Sequence, residues 1–311
     1  MDNTLQFGKP LGPPSVLTIG SFDGVHLGHQ AILNLVLEEA KKFGYQSIVA
    51  SFDPHPREVL FGDCPELLAP GPERTDLLAA YPIDSFTLIR FDKALAQKSA
   101  DSFVRDVIVG HFNAKTVVIG YDHRFGHDRR GDVHLLHKLG AELGFSVVEC
   151  GKVEVDGSTA SSSSIRDALL AGKVDLASSL LGRYYSLSGT VVHGDGRGKR
   201  IGIATANIGL MTENKLKPAN GVYAVKAEVS GYAKRFSGMM NIGTRPTFDG
   251  GSEIRLEVHL FEFDQDAYDR EVRVEFVERI RDERKFESVD ALIQQLNVDR
   301  DRCTELLRKI A

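Results

Sequence analysis

Gly20-Ser21-Phe22-Asp23-Gly24-Val25-His26-Leu27-Gly28-His29 follows the apolar run Val16–Ile19 and opens onto the amphipathic run Gln30–Lys42. A buried strand, a glycine-bearing turn and a helix therefore meet at two histidines three positions apart. Backbone N–H groups left free at a helix start, at the positive end of the helix dipole, form an anion site. Two imidazoles one turn apart on one helix face can hydrogen-bond the oxygens of a phosphate chain. Gly28 between them lets a ligand come close to the backbone. A single histidine near a helix start is ordinarily a surface or core residue; the spacing and the preceding strand are what predict a nucleotide site.

Outward from that stretch, short β-rich runs alternate with helical patterns up to about residue 183. The strands read Val16–Ile19, Ser47–Phe52, Ser85–Ile89, Lys115–Ile119 and Ser146–Glu149, with helices over Gln30–Phe43, Arg74–Ala80, Ala100–His111 and Asp132–Leu143. This alternation predicts a parallel sheet with right-handed crossovers and helices on both faces. Ligands of such sheets lie beyond the carboxyl ends of the strands, where His26 and His29 fall. After Leu180-Leu181-Gly182-Arg183 the texture changes. The runs Leu187–His193, Val222–Val229, Arg235–Asn241, Arg255–Phe261 and Val272–Ile280 are joined by turn-rich segments, which predicts an antiparallel barrel or sandwich. The periodic stretch Ser288–Lys309 predicts a closing helix. Two domains are expected, 1–183 and 184–311.

Composition narrows the classes. A 311-residue chain with 42% apolar and 26% charged residues is an ordinary globular protein of more than one domain. A net charge of −5 supplies no general basic field, which argues against nucleic acid as a partner. The three cysteines, Cys64, Cys150 and Cys303, are scattered and odd in number, so they suggest neither a disulfide framework nor a zinc site. With no signal-like start and no apolar run of membrane-spanning length, a cytoplasmic protein is expected. Oligomeric state is not legible.

Three further segments fall at strand ends of the first half. Ser51-Phe52-Asp53-Pro54-His55-Pro56 reads as a proline-stiffened loop, with Phe52, Pro54 and Pro56 suited to one wall of a flat-ligand pocket. Gly120-Tyr121-Asp122-His123-Arg124-Phe125-Gly126 combines polar groups with aromatics. Ser161-Ser162-Ser163-Ser164-Ile165-Arg166 sets hydroxyls and an arginine at a helix start, fit for triphosphate oxygens. With these four segments in order, the chain resembles the bacterial bifunctional riboflavin kinase/FAD synthetase family over roughly 14 to 305. The His-x-Gly-His element is also similar to the signature of the wider nucleotidyltransferase superfamily.

The resemblance implies a Rossmann-like α/β nucleotidyltransferase domain that adenylylates FMN, followed by an antiparallel β-barrel flavokinase domain with a C-terminal helix. It assigns His26, His29 and Arg166 to catalysis and Gly20, Phe22, Asp23, Gly24, Gly28, Ser162 and Ser163 to ATP. Asp122 and Phe125, with the Phe52 loop, would hold the flavin. Ser163 stands where the family usually has Thr, and His123 where it usually has Phe.

In the second half, Gly194-Asp195-Gly196-Arg197-Gly198-Lys199 lacks both the length and the following Ser or Thr of a Walker A loop. It resembles the glycine-rich flap of the flavokinase domain, which would bring Gly196, Gly198 and Lys199 to ATP. Ile203-Ala204-Thr205-Ala206-Asn207 matches the family's Pro-Thr-Ala-Asn motif, with Ala204 for proline and Ile203 for the usual Phe. By that match Thr205 and Asn207 would hold Mg²⁺. Asn220-Gly221-Val222-Tyr223-Ala224, Asn241-Ile242-Gly243-Thr244-Arg245-Pro246-Thr247 and Glu257-Val258-His259-Leu260 also fit. They imply Asn241 for ATP, Arg245 for flavin and Glu257 as catalytic base. By alternation Glu257 faces the side opposite Leu256 and Val258. The expected substrates are riboflavin, FMN and ATP, with Mg²⁺ as cofactor. Three alternatives stay open: a synthetase with a weakened kinase half, a non-catalytic flavin-binding regulator, and a nucleotidyltransferase for pantetheine phosphate or nicotinamide mononucleotide.

Overall fold

The computed structural model of the protein describes residues 12–62, 66–193, 203–246 and 252–310. The chain divides into two compact units, Met1–Ser162 and Ser163–Ala311. In the first, β1 (Ser15–Ile19), β2 (Gln46–Asp53), β3 (Ser85–Arg90), β4 (Ala114–Gly120) and β5 (Ser146–Cys150) form a parallel sheet in the order β3-β2-β1-β4-β5. Every residue of β1 is buried, as a central strand covered on both faces must be. The strand order reverses between β1 and β4, so a crevice is expected beyond their carboxyl ends. The chain leaving β1 carries the two histidines, and the chain leaving β4 carries Asp122.

Helix α1 (Leu27–Phe43) buries Leu33, Val36 and Ala40 and stops at Gly44, whose positive φ of 66° suits a residue without a Cβ. It starts three residues before the amphipathic pattern predicts, because the His26 ring caps it by accepting from the His29 N–H. Pro56 opens a further helix, α2 (Pro56–Phe61), where the sequence predicts only a stiff loop; proline suits that first position since its missing N–H would have no helical acceptor. Helix α3 (Gly71–Ala79) follows. The helix predicted over Ala100–His111 is α only over Ala100–Phe103 and continues as a π turn over Val104–Val109.

The second unit begins in helix α4 (Ser162–Leu170) and continues through α5 (Val174–Leu181) into a closed six-stranded barrel. Its strands are β6 (Tyr185–Val192), β7 (Ala206–Leu210), β8 (Gly221–Val229), β9 (Phe236–Pro246), β10 (Ser252–Leu260) and β11 (Glu271–Arg281), in the order β8-β9-β10-β7-β6-β11. Tyr223, Val225, Met240, Ile242, Leu256, Val258, Val274 and Phe276 are buried and share the register rows that fill the interior. The opposite face is covered in part by the closing helix α6 (Val289–Arg308). Its Cys303 and Leu307 pack against Ile203, Val222, Ala224, Met239, Val277 and Ile280. An ion pair from the half-buried Arg281 Nε to the buried Asp299 carboxylate, at 2.8 Å, joins β11 to that helix.

Candidate active sites

In the first unit the turn after β1 brings the histidines together. The His26 and His29 rings stack with centroids 3.7 Å apart and planes 21° apart, and Phe22 lies 4.9 Å from His29. Because His26 Nδ1 accepts from the His29 N–H at 3.3 Å, the His26 proton sits on Nε2 in the neutral ring. His29 Nδ1 is buried with no hydrogen-bond partner among the described residues. Desolvation, and then repulsion from His26, hold the His29 pKa well below 6.5. Gly28 is needed here: a Cβ would lie 2.8 Å from the Ala160 carbonyl oxygen and 3.2 Å from His26.

The other residues expected at ATP or flavin are placed as follows. Asp23 is buried, and its Oδ1 accepts from the Ala69 N–H at 2.9 Å, pinning the 67–69 segment to the turn. Phe22 is 1% exposed and packs with Val25, Leu33, Val49 and Leu78, so its ring backs His29 from the core. Phe125 is a core residue too, beside Phe103 and 5.8 Å from His123. Gly20 donates its N–H to the Ala50 carbonyl, and Gly24 takes a φ of 83° in the turn. The Ser162 hydroxyl donates to the Asp23 carbonyl at 2.9 Å, so a phosphate contact from Ser162 would come from its backbone N–H. Phe52, edge-on to Phe91, is half-buried, as are Pro54 and Pro56; Asp122 is exposed. Ser163 and Arg166 lie on α4 in the second unit, one helical turn apart.

In the barrel, strand pairing does what sequence distance conceals. Asn207 pairs with Glu257, and Glu257 pairs with Asn241. Directly paired residues share a sheet face, so three polar side chains from β7, β10 and β9 form one row on the face opposite the buried Leu256 and Val258. The alternation expected for Glu257 is thus the one observed. Thr205 lies two residues before Asn207. Ile203 is buried against the closing helix, and the His259 Nδ1–H donates to the Ala204 carbonyl at 2.6 Å. His259 was given no role by sequence reasoning; its position two residues after Glu257, on the same strand face, was the available signal. Asn220 Nδ2 reaches Glu283 Oε2 at 3.2 Å near this row. Gly196, Gly198, Lys199 and the side chain of Arg245 lie outside the described residues.

The chain matches the FAD synthetase family over residues 9–164 and the riboflavin kinase family over 181–307. It is 41% identical over 286 residues to the bifunctional riboflavin kinase/FMN adenylyltransferase of Escherichia coli K12, covering 91% of this chain and 90% of that one. The protein of that name from Haemophilus influenzae is 38% identical, with 91% of each chain covered. A crystal structure described as a macrolide-efflux protein from Streptococcus pneumoniae has a TM-score of 0.85 at 33% identity, covering 97% of this chain and 96% of that one. No helix among the described residues is long and apolar enough to cross a membrane. Two family matches in tandem and relatives similar along nine-tenths of the chain give one conclusion: this chain belongs to the family of bifunctional riboflavin kinase/FMN adenylyltransferases.

Proposed function

We propose that the chain phosphorylates riboflavin to FMN in its barrel and adenylylates FMN to FAD in its α/β part, using ATP for both. The row Asn207–Glu257–Asn241 carries this reading, because the first site alone would suit nucleotidyltransferases of several kinds. In adenylylation an FMN phosphate oxygen attacks the α-phosphorus of ATP and the bond to pyrophosphate breaks. That phosphate is largely dianionic at neutral pH, its second pKa being ~6, so no base is required. The task is positioning and neutralisation of the charge that builds on the leaving group. His26, His29 and Arg166 are assigned to it, with Ser162 and Ser163 at the start of α4. In phosphorylation the attacking group is a neutral ribityl hydroxyl. Glu257 is assigned to take its proton as the bond to the γ-phosphorus forms and ADP leaves, a role worth typically ~10²–10⁴-fold.

Thr205 and Asn207 offer a hydroxyl and an amide oxygen, hard donors that suit Mg²⁺ carried in on nucleotide phosphates. Bound there, Mg²⁺ would neutralise phosphate charge. We assign adenylylation to residues 1–183 and phosphorylation to 184–311, in a reducing cytoplasm where scattered thiols persist. The reading with a weakened kinase rests on Ala204 and Ile203. Against it, Ile203 is packed in the core and the Ala204 carbonyl is held by His259, so the loop is anchored without a proline. Product chromatography tests the proposal: with ATP and Mg²⁺, FAD should form from both riboflavin and FMN. FAD from FMN alone would establish the weakened-kinase reading.

A further inference from the structure

Arg74, on α3, is only 6% exposed. Its Nη1 donates to the Ser21 carbonyl at 3.1 Å, and its Nε is buried with no partner among the described residues. Desolvation draws its pKa down while the carboxylates of Asp23, in the nucleotide turn, and Asp53, at the flavin loop, draw it back up. As a device for stability this is a poor choice, since a buried ion with an unsatisfied donor is commonly matched or bettered by an apolar residue.

The carbonyl it holds is the clue. Ser21 O also accepts from the buried Ser51 hydroxyl at 3.2 Å. Immediately after it, Phe22 and Val25 adopt φ values of +48° and +40°. Such left-handed geometry is strained for a bulky or β-branched side chain and persists only where the surroundings over-determine it. The strained residues lead straight to His26 and, three positions on, to His29. We propose that Arg74 is a positioning residue for adenylyl transfer: it clamps the Ser21 carbonyl and so holds the strained turn that presents the two histidines. The inference rests on adenylylation being the work of this unit.

The test is steady-state FAD formation from FMN and ATP by the full-length chain, with riboflavin phosphorylation measured on the same preparations and folding followed by circular dichroism. Arg74→Gln is expected to lower kcat for FAD formation about 10²-fold, the scale of a misplaced reacting group. Riboflavin phosphorylation should stay within about twofold. Arg74→Lys, which keeps the charge and one donor, should restore at least about tenfold of the loss. Wild-type kcat in the Gln variant overturns the proposal. So does a loss that merely tracks the unfolded fraction and is not relieved by lysine. If Arg74→Gln does not fold, Ser51→Ala decides: a kcat about tenfold down supports the clamp, and an unchanged kcat overturns it. A wild-type chain that makes no FAD from FMN removes the adenylylation reading itself, and the clamp with it.

Discussion

At pH 7 the His29 ring is neutral in the ligand-free protein, because burial and its neighbour His26 both disfavour the imidazolium. An arriving triphosphate reverses that balance, so ATP binding near neutral pH should take up a proton. Calorimetry in buffers of different ionisation enthalpy reads this directly, and His29→Ala should abolish most of the uptake. The same variant should lower kcat for FAD formation by on the order of 10²-fold. Stability follows the linkage sign for a depressed histidine. Above about 6.5, the unfolded value, both states are neutral and the contribution is intact; as pH falls toward the lower folded value the unfolded chain binds the proton first and stability is lost. Ligand-free protein should therefore melt lower at pH 5 than at pH 7, and His29→Gln should flatten that dependence. If the two melting profiles coincide, His29 is not the titrating group.

Among elements, α1 and the turn before it were readable because each part carries its own signal: an apolar strand, glycines at the bend, an amphipathic face and a closing glycine. Strand β7 was not. Ala206-Asn207-Ile208-Gly209-Leu210 mixes small and polar residues of weak strand preference, and only closure of the barrel makes it a strand. A Cβ at Gly189 would collide with the Gly209 carbonyl, so β6 and β7 meet closely through two glycines, of which only Gly189 falls in a run that the sequence reads as a strand. Arg74 was invisible for a different reason: arginine is a surface residue by default, and the carbonyl it meets in the interior lies 53 residues away. Gly28→Ala tests how tightly the helix start is fitted. With 2.8 Å to a backbone oxygen, the added methyl must displace either α1 or the Ala160 segment. We expect a stability cost of ~1–3 kcal/mol and at least about tenfold slower FAD formation, measured by denaturant melts and product assay.

For the molecule as a whole, the change of texture at 183 and the division at Ser162 are different boundaries. Helices α4 and α5 read as a continuation of the α/β alternation, yet they pack with the barrel: the Ala219 N–H donates to the Leu169 carbonyl, and Gly172 abuts Arg279. Local pattern foretells an element, whereas its packing partner depends on residues far along the chain. Two sites on one chain make a crossed prediction. Starting from riboflavin, His29→Ala should accumulate FMN; Glu257→Gln should make FAD from supplied FMN and little from riboflavin. A variant that loses both reactions together would tie the two chemistries to one site. The row in the barrel has a consequence for how the protein is born. Asn207, Asn241 and Glu257 become neighbours only through strand pairing, and the closure of β6 on β11 waits for residues near 280 to be synthesised. The residues assigned to the histidine site end at Arg166, so none of them waits for the barrel strands. On the ribosome, where early segments fold first, the residues we assign to the second step of the pathway are all made before the last of those we assign to the first.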